Sequence, residues 1–143
     1  MALAVQLHDN ILPPRDSSLR DEALAGFAAS PKHLSPKFFY DRRGSELFEQ
    51  ICLQPEYYLT RTEEAILADA ADEIRQIVGP QSNLIELGSG ASRKVRLLLE
   101  RLRPASYLGI DISEDFLLDS TRRRADDYPW LDVHAACSDF SDH

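Results

Sequence analysis

Asn83-Leu84-Ile85-Glu86-Leu87-Gly88-Ser89-Gly90-Ala91-Ser92 is the stretch that decides the fold. The apolar run ending at Leu87 reads as a short buried strand. Gly88-Ser89-Gly90 supplies the backbone freedom of a tight turn. Ser92 is an N-cap residue for a helix that carries Val95, Leu98, Leu99 and Leu102 on one face. Pro104 stops that helix, and residues 106–111 read as a second strand. Ser113 caps a further helix with Glu114 and Asp115 in its first turn and Arg122-Arg123-Arg124 near its end, both signs complementing the helix dipole. The three arginines read as a solvated helix end. Pro129 breaks the helix, and residues 131–137 form a third strand.

Strand–helix–strand–helix–strand with crossovers of this length gives parallel strands and right-handed connections. The expected fold is therefore α/β, the start of a Rossmann-like doubly wound sheet. Three strands are about half of such a sheet. The reading thus expects a piece of a longer protein, or a product that ends early. Residues 81–143 are its first half-sheet, and residues 1–80 are a helical N-terminal segment. The expected truncation leaves the first strand as an exposed sheet edge.

Working outward toward the N-terminus, Gly79-Pro80 stops a long helix whose apolar stripe is Ile66, Leu67, Ala70, Ile74, Ile77 and Val78. Thr60 or Thr62 is the expected cap, with Glu63 and Glu64 in the first turn. Before it, Pro55 ends a helix over residues 46–53, with Leu47, Phe48 and Ile51 at helical spacing. Pro31 and Pro36 separate it from a short helix running from a Ser17 or Ser18 cap to about residue 29. Residues 1–16 contain Pro13-Pro14 and are expected as a loosely held arm.

The whole chain has 143 residues and a formal charge of -8, with 43% apolar and 28% charged residues. That length buries about two thirds of the unfolded surface without a metal or disulfide. The acidic balance argues against a sequence-independent nucleic-acid binder. No apolar run approaches the ~18 residues of a membrane span, and residues 1–12 lack the form of a signal peptide. Cys52 and Cys137 do not make a disulfide framework, so the expected compartment is a reducing cytoplasm. The four histidines have no metal-ligand spacing, and no metal is expected.

The chemistry sits at the carboxyl ends of the strands, where this architecture binds ligands. Gly88 and Gly90 allow close approach to a ligand, and the helix N-terminus that follows offers N–H groups to an anion. Asp111 ends the second strand, the place for a carboxylate accepting from ribose hydroxyls. Asp139 follows the third strand on the same edge; as a lone residue it reads equally as a turn residue. The third glycine of a dinucleotide fingerprint is replaced by Arg93, and the Gly-Lys-Ser/Thr of a P-loop is absent. S-adenosylmethionine suits this turn better. It has no phosphates, its sulfonium is tolerated among carboxylates, and its own carboxylate suits the helix N-terminus and Lys94.

Four blocks carry a more specific resemblance: Ser35-Pro36-Lys37-Phe38-Phe39-Tyr40-Asp41, Gly44-Ser45-Glu46-Leu47-Phe48, Pro55-Glu56-Tyr57-Tyr58-Leu59-Thr60-Arg61-Thr62-Glu63, and Glu86-Leu87-Gly88-Ser89-Gly90. Together they resemble the histidine-specific methyltransferase family, from about residue 18 to the end. The tyrosine block is the most specific, because general methyltransferases lack it. The resemblance implies a class I methyltransferase fold and S-adenosylmethionine as cofactor. It further implies methylation of the α-amine of L-histidine to trimethylhistidine, a step of ergothioneine biosynthesis. By resemblance, Gly88, Lys94, Asp111, Asp139 and Phe140 match cofactor-binding positions, Tyr57 matches a position contacting the substrate histidine, and Tyr40 lies near the reacting amine. No residue is assigned as a general base. Leu59, Gly109 and Ser138 depart from common family residues. A related methyltransferase for another amine, and a non-catalytic truncated product, stay open as alternatives.

Overall fold

A computed structural model describes residues 5–8, 19–90 and 93–139. Its centre is a four-stranded sheet, all parallel, in the order β1-β4-β3-β2. The strands are β1 (Gln6–Leu7), β2 (Asn83–Leu87), β3 (Ser106–Asp111) and β4 (Asp132–Cys137). Helix α4 (Arg93–Leu102) connects β2 to β3, and α5 (Glu114–Asp127) connects β3 to β4. These are the two expected crossovers. Because the connections move one way across the sheet with the same hand, both helices lie on one face.

That face holds the core. Val95 and Leu99 of α4 and Ala125 of α5 pack on Tyr107 of β3 and Val133 of β4, with Tyr128 and Leu131 closing the far end. Leu84 packs against this cluster, and its neighbours in β2 point the other way. Ile85 and Leu87 are 59% and 61% exposed, and β2 is the edge of the sheet. The expectation that the first strand of the half-sheet forms an edge agrees with this order.

The core extends into a polar cluster. Arg124 is buried, stacks over the Tyr107 ring at 4.7 Å, and donates to the Tyr107 hydroxyl at 3.1 Å. The same hydroxyl donates to Glu86 at 2.7 Å. The reading of Arg122-Arg123-Arg124 as a solvated helix end is therefore corrected for Arg124. It falls on the inner face of α5, where Tyr107 supplies both a ring and an acceptor.

The N-terminal segment contributes α1 (Leu19–Ala28), a 3₁₀ turn (Pro36–Phe39), α2 (Arg42–Cys52) and α3 (Leu59–Val78). The expected serine caps of α1 and α4 lie outside the described residues. α3 packs along α4, which joins the segment to the sheet. Three local expectations are corrected. Residues 6–7 are not a loose arm but an added strand on β4, extended by the His8 N–H donating to Ala135 at 2.9 Å. His8 Nε2 also meets His134 Nδ1 at 2.9 Å, so these two histidines are partners.

Helix α2 begins at Arg42 rather than Glu46, because Asp41 caps it by accepting from the Gly44 N–H at 2.7 Å. Gly44 lies inside the helix since a Cβ there would collide with the Phe39 carbonyl. Helix α3 begins at Leu59, before either expected threonine cap, and Thr62 N–H already donates to the Tyr58 carbonyl at 3.0 Å. The cause is Arg61, which donates to the carbonyls of Gln54 and Pro55 at 3.0 and 2.6 Å and so pins the loop against the helix start. At its other end α3 stops at Gly79, in the left-handed region at φ 73°, as the Gly-Pro pair predicts.

Candidate active site

The turn after β2 is built by its glycines. Gly88 and Gly90 adopt φ 68° and 42°, which side-chain-bearing residues rarely do. The N–H groups of Gly88 and Ser89 both donate to the Ile110 carbonyl, at 2.9 and 3.0 Å. The turn is thereby bent across the carboxyl end of β3.

Asp111 is the hinge of this edge. Its Oδ2 accepts from the Gly90 N–H at 2.8 Å and its Oδ1 from the Ser113 N–H at 2.9 Å. The side chain thus ties the glycine turn to the start of α5, and the residue is 9% exposed. Each carboxylate oxygen has a second acceptor site, so Asp111 retains capacity for a ligand hydroxyl. The Asp111 carbonyl in turn accepts from the Ser138 N–H at 3.0 Å, which brings the end of β4 and Asp139 alongside.

These groups open into a pocket of about 570 Å³, within the range of a small-molecule site. Gly88, Gly90, Lys94, Asp111 and Asp139 line it, together with Tyr57, Tyr40 and Phe48. The sequence-predicted residues are therefore brought together, with one exception: Phe140 lies outside the described residues. Tyr58, the second tyrosine of the pair, is 62% exposed.

The sequence reading missed three participants. Phe48 sits between the tyrosines, edge to face with Tyr40 at 6.3 Å and with Tyr57 at 6.0 Å, so the wall is three rings. Its helical periodicity suggested only core packing. Glu63 pairs with Lys94 at 2.8 Å across α3 and α4. Arg61 holds the loop that carries Tyr57. The specific spacing of the tyrosine block thus has a physical basis: one residue makes the wall, one fixes the loop, and one reaches the facing helix. Asp41, three positions before Gly44, was a local signal that could have placed the start of α2 and hence Phe48.

Among the described residues, the lining carries five carboxylates (Glu49, Glu63, Glu86, Asp111 and Asp139) against two lysines (Lys37 and Lys94). This balance favours a cationic ligand. Lys37 stands between two acids, Glu22 at 2.9 Å and Asp139 at 3.2 Å. Hydrogen bonding to Glu22 is the main cause that raises its pKa above the usual lysine value, with Asp139 adding to it.

A nucleoside cofactor with a sulfonium centre fits this arrangement. Ser89 Oγ is buried beside the turn and has no hydrogen-bond partner among the described residues. The turn presents bare glycine backbone to the pocket, and Asp111 is already oriented by two N–H groups. Lys94 offers a cation for a carboxylate, currently shared with Glu63.

Comparison with known proteins agrees with this geometry. A family model described as histidine-specific methyltransferase, SAM-dependent, matches residues 19–143. The chain is 42% identical over 130 residues to the histidine N-alpha-methyltransferase of Mycolicibacterium smegmatis, covering 88% of this chain and 40% of that protein. It is 38% identical, over the same shares, to the histidine N-alpha-methyltransferase of Mycobacterium tuberculosis. It is 36% identical to ergothioneine biosynthesis protein 1 of Neurospora crassa, over 78% of this chain and 13% of that protein. The chain spans about two fifths of the length of the mycobacterial relatives it matches. With its parallel α/β sheet, its glycine turn and its tyrosine block in place, the chain belongs to the histidine-specific, SAM-dependent methyltransferase family.

Proposed function

We propose that the full-length protein carrying this chain transfers methyl groups from S-adenosylmethionine to the α-amine of L-histidine. Residues 81–143 would provide the first half of the cofactor-binding sheet, and the segment before them the aromatic side of the substrate pocket. The observation that carries this reading is the single pocket shared by two sets of groups. The glycine turn with Asp111 and Asp139 and the three rings of Tyr40, Phe48 and Tyr57 line the same cavity.

In this reading Gly88 and Asp111 hold the nucleoside part, Lys94 the cofactor carboxylate and Asp139 the remaining polar edge. Phe140, outside the described residues, is assigned to the same cofactor by the family resemblance alone. When bound, the cofactor supplies an electrophilic methyl group on a cationic sulfur. The chain's own contribution is alignment and exclusion of water. Tyr57 and its two neighbouring rings give the substrate amine an apolar, electron-rich wall. Such a wall favours a quaternary ammonium product over the hydrated ammonium of the starting amine, which supports repeated methylation.

Mass spectrometry of the full-length protein with S-adenosylmethionine and an amino-acid panel tests this. Trimethylated histidine is the expected product. Methylation of a different amine in preference to histidine would overturn the substrate assignment. A protein that binds the cofactor and methylates nothing in the panel would overturn the catalytic reading.

A further inference from the structure

Lys37 has a place that neither the glycine turn nor the tyrosine block accounts for. It lies in the 3₁₀ turn Pro36–Phe39 and lines the pocket. Its ammonium meets Glu22 of α1 at 2.9 Å and Asp139, beyond β4, at 3.2 Å. All three side chains are mostly shielded: 19% exposure for Lys37, 26% for Glu22 and 15% for Asp139. Two carboxylates gathered around one point repel each other unless a cation lies between them. A lysine ammonium is compact and carries three donors, so it can serve both acids at once.

We propose that Lys37 is a positioning residue for the cofactor, holding the Asp139 carboxylate in its working orientation and tying that orientation to α1 through Glu22. This rests on the assignment of Asp139 to the cofactor made above. The N-terminal segment thus does more than wall the substrate side; it pairs with Asp139 and so sets one of the cofactor's own contacts. Losing the ammonium removes the shared counter-charge, and Asp139 turns away from Glu22.

The test uses the full-length protein and four variants: Lys37→Met, Lys37→Arg, Asp139→Asn and the double variant Lys37→Met with Asp139→Asn. Dissociation constants for S-adenosylmethionine are measured by calorimetry, and KM for histidine by methyl transfer at saturating cofactor. Lys37→Met is expected to weaken cofactor binding about tenfold, the worth of one charge-assisted hydrogen bond. Lys37→Arg is expected to stay within about threefold of wild type, since it keeps the charge and its guanidinium has donors for both carboxylates. In the Asp139→Asn background the Lys37→Met penalty is expected to fall below about twofold, because the two residues act as a pair. KM for histidine is expected to change little.

A wild-type protein that binds the cofactor, with a Lys37→Met variant that binds equally well, overturns this inference alone. So does a full tenfold loss that persists in the Asp139→Asn background, or an equal rise in the histidine KM, since a merely structural lysine would produce either. If Lys37→Met does not fold, Lys37→Arg binding as weakly as Asp139→Asn overturns it. A wild-type protein that does not bind the cofactor overturns the cofactor reading, and this inference with it.

Discussion

Asp111→Asn separates the roles of this carboxylate in the fold and in the site. The wild-type side chain accepts two backbone N–H groups, from Gly90 at 2.8 Å and Ser113 at 2.9 Å. Asparagine keeps one acceptor oxygen and replaces the other with an amide NH2. One bond survives without its charge, a loss of about 1 kcal/mol, since charge roughly doubles such a bond. At the other, a donor now faces a donor in a site only 9% exposed, a loss of about 2 kcal/mol. The sum is about 3 kcal/mol of folding stability. Urea unfolding of the full-length protein reads this, and calorimetry at low urea reads the cofactor. Affinity is expected to fall at least tenfold, because the glycine turn loses its anchor and the nucleoside loses a charged acceptor. A stability change below about 0.5 kcal/mol would refute the structural role. A destabilised protein with unchanged cofactor affinity would refute the site assignment and leave the fold argument standing.

Three further outcomes follow from the geometry. Tyr107→Phe keeps the ring under Arg124 but removes the hydroxyl that donates to Glu86 and accepts from Arg124, so it should cost about 2 kcal/mol in urea unfolding; a neutral substitution would show that the network carries no weight. Gly44→Ala places a methyl against the Phe39 carbonyl and must displace the 3₁₀ turn or the start of α2. It should cost about 1–3 kcal/mol and raise KM for histidine through Tyr40 and Phe48, with cofactor affinity little changed; equal effects on both ligands would count against a separate aromatic side. Alkaline stability is the third. Burial, chiefly, raises the Tyr128 pKa above 10.0, and hydrogen bonding to Glu22, chiefly, raises that of Lys37 above 10.5. For both groups the folded state holds its proton more tightly than the unfolded state. Their contributions are therefore complete below the ordinary values and are lost as pH rises through the folded ones. Melting temperatures across that window should fall less steeply in Tyr128→Phe and Lys37→Met than in wild type, and identical slopes would refute the shifts.

The elements most legible in the sequence were those whose signals are local. β2 and β3 were read at their observed bounds, because each is a short apolar run closed by a turn or a proline. The end of α3 was equally legible, since Gly79 and Pro80 act on the chain within a few residues. Helix starts were read less well. The apolar spacing starts α2 at Glu46, whereas the Asp41 cap and the close approach of the Phe39 carbonyl begin it earlier. The threonine caps of α3 lost to an arginine that satisfies loop carbonyls from inside the helix. Gln6–Leu7 carries no strand signal of its own and is a strand because β4 has a free edge beside it.

Sequence alone therefore determined the succession β2, α4, β3, α5 and β4, the glycine turn, the acids at the strand ends and the family resemblance. Each of these signals is carried by a short contiguous stretch of the chain. Tertiary structure decided which side chains share a space. It placed Phe48 between Tyr40 and Tyr57, buried Arg124 on Tyr107, paired Lys94 with Glu63, and gathered Glu22 and Asp139 around Lys37. Those partners sit on different elements and are weakly patterned: the rings are eight and nine positions apart, and Lys94 and Glu63 are 31 positions apart. The packing of α3 on α4 joins Lys94 to Glu63, and that of α5 on β3 places Arg124 on Tyr107.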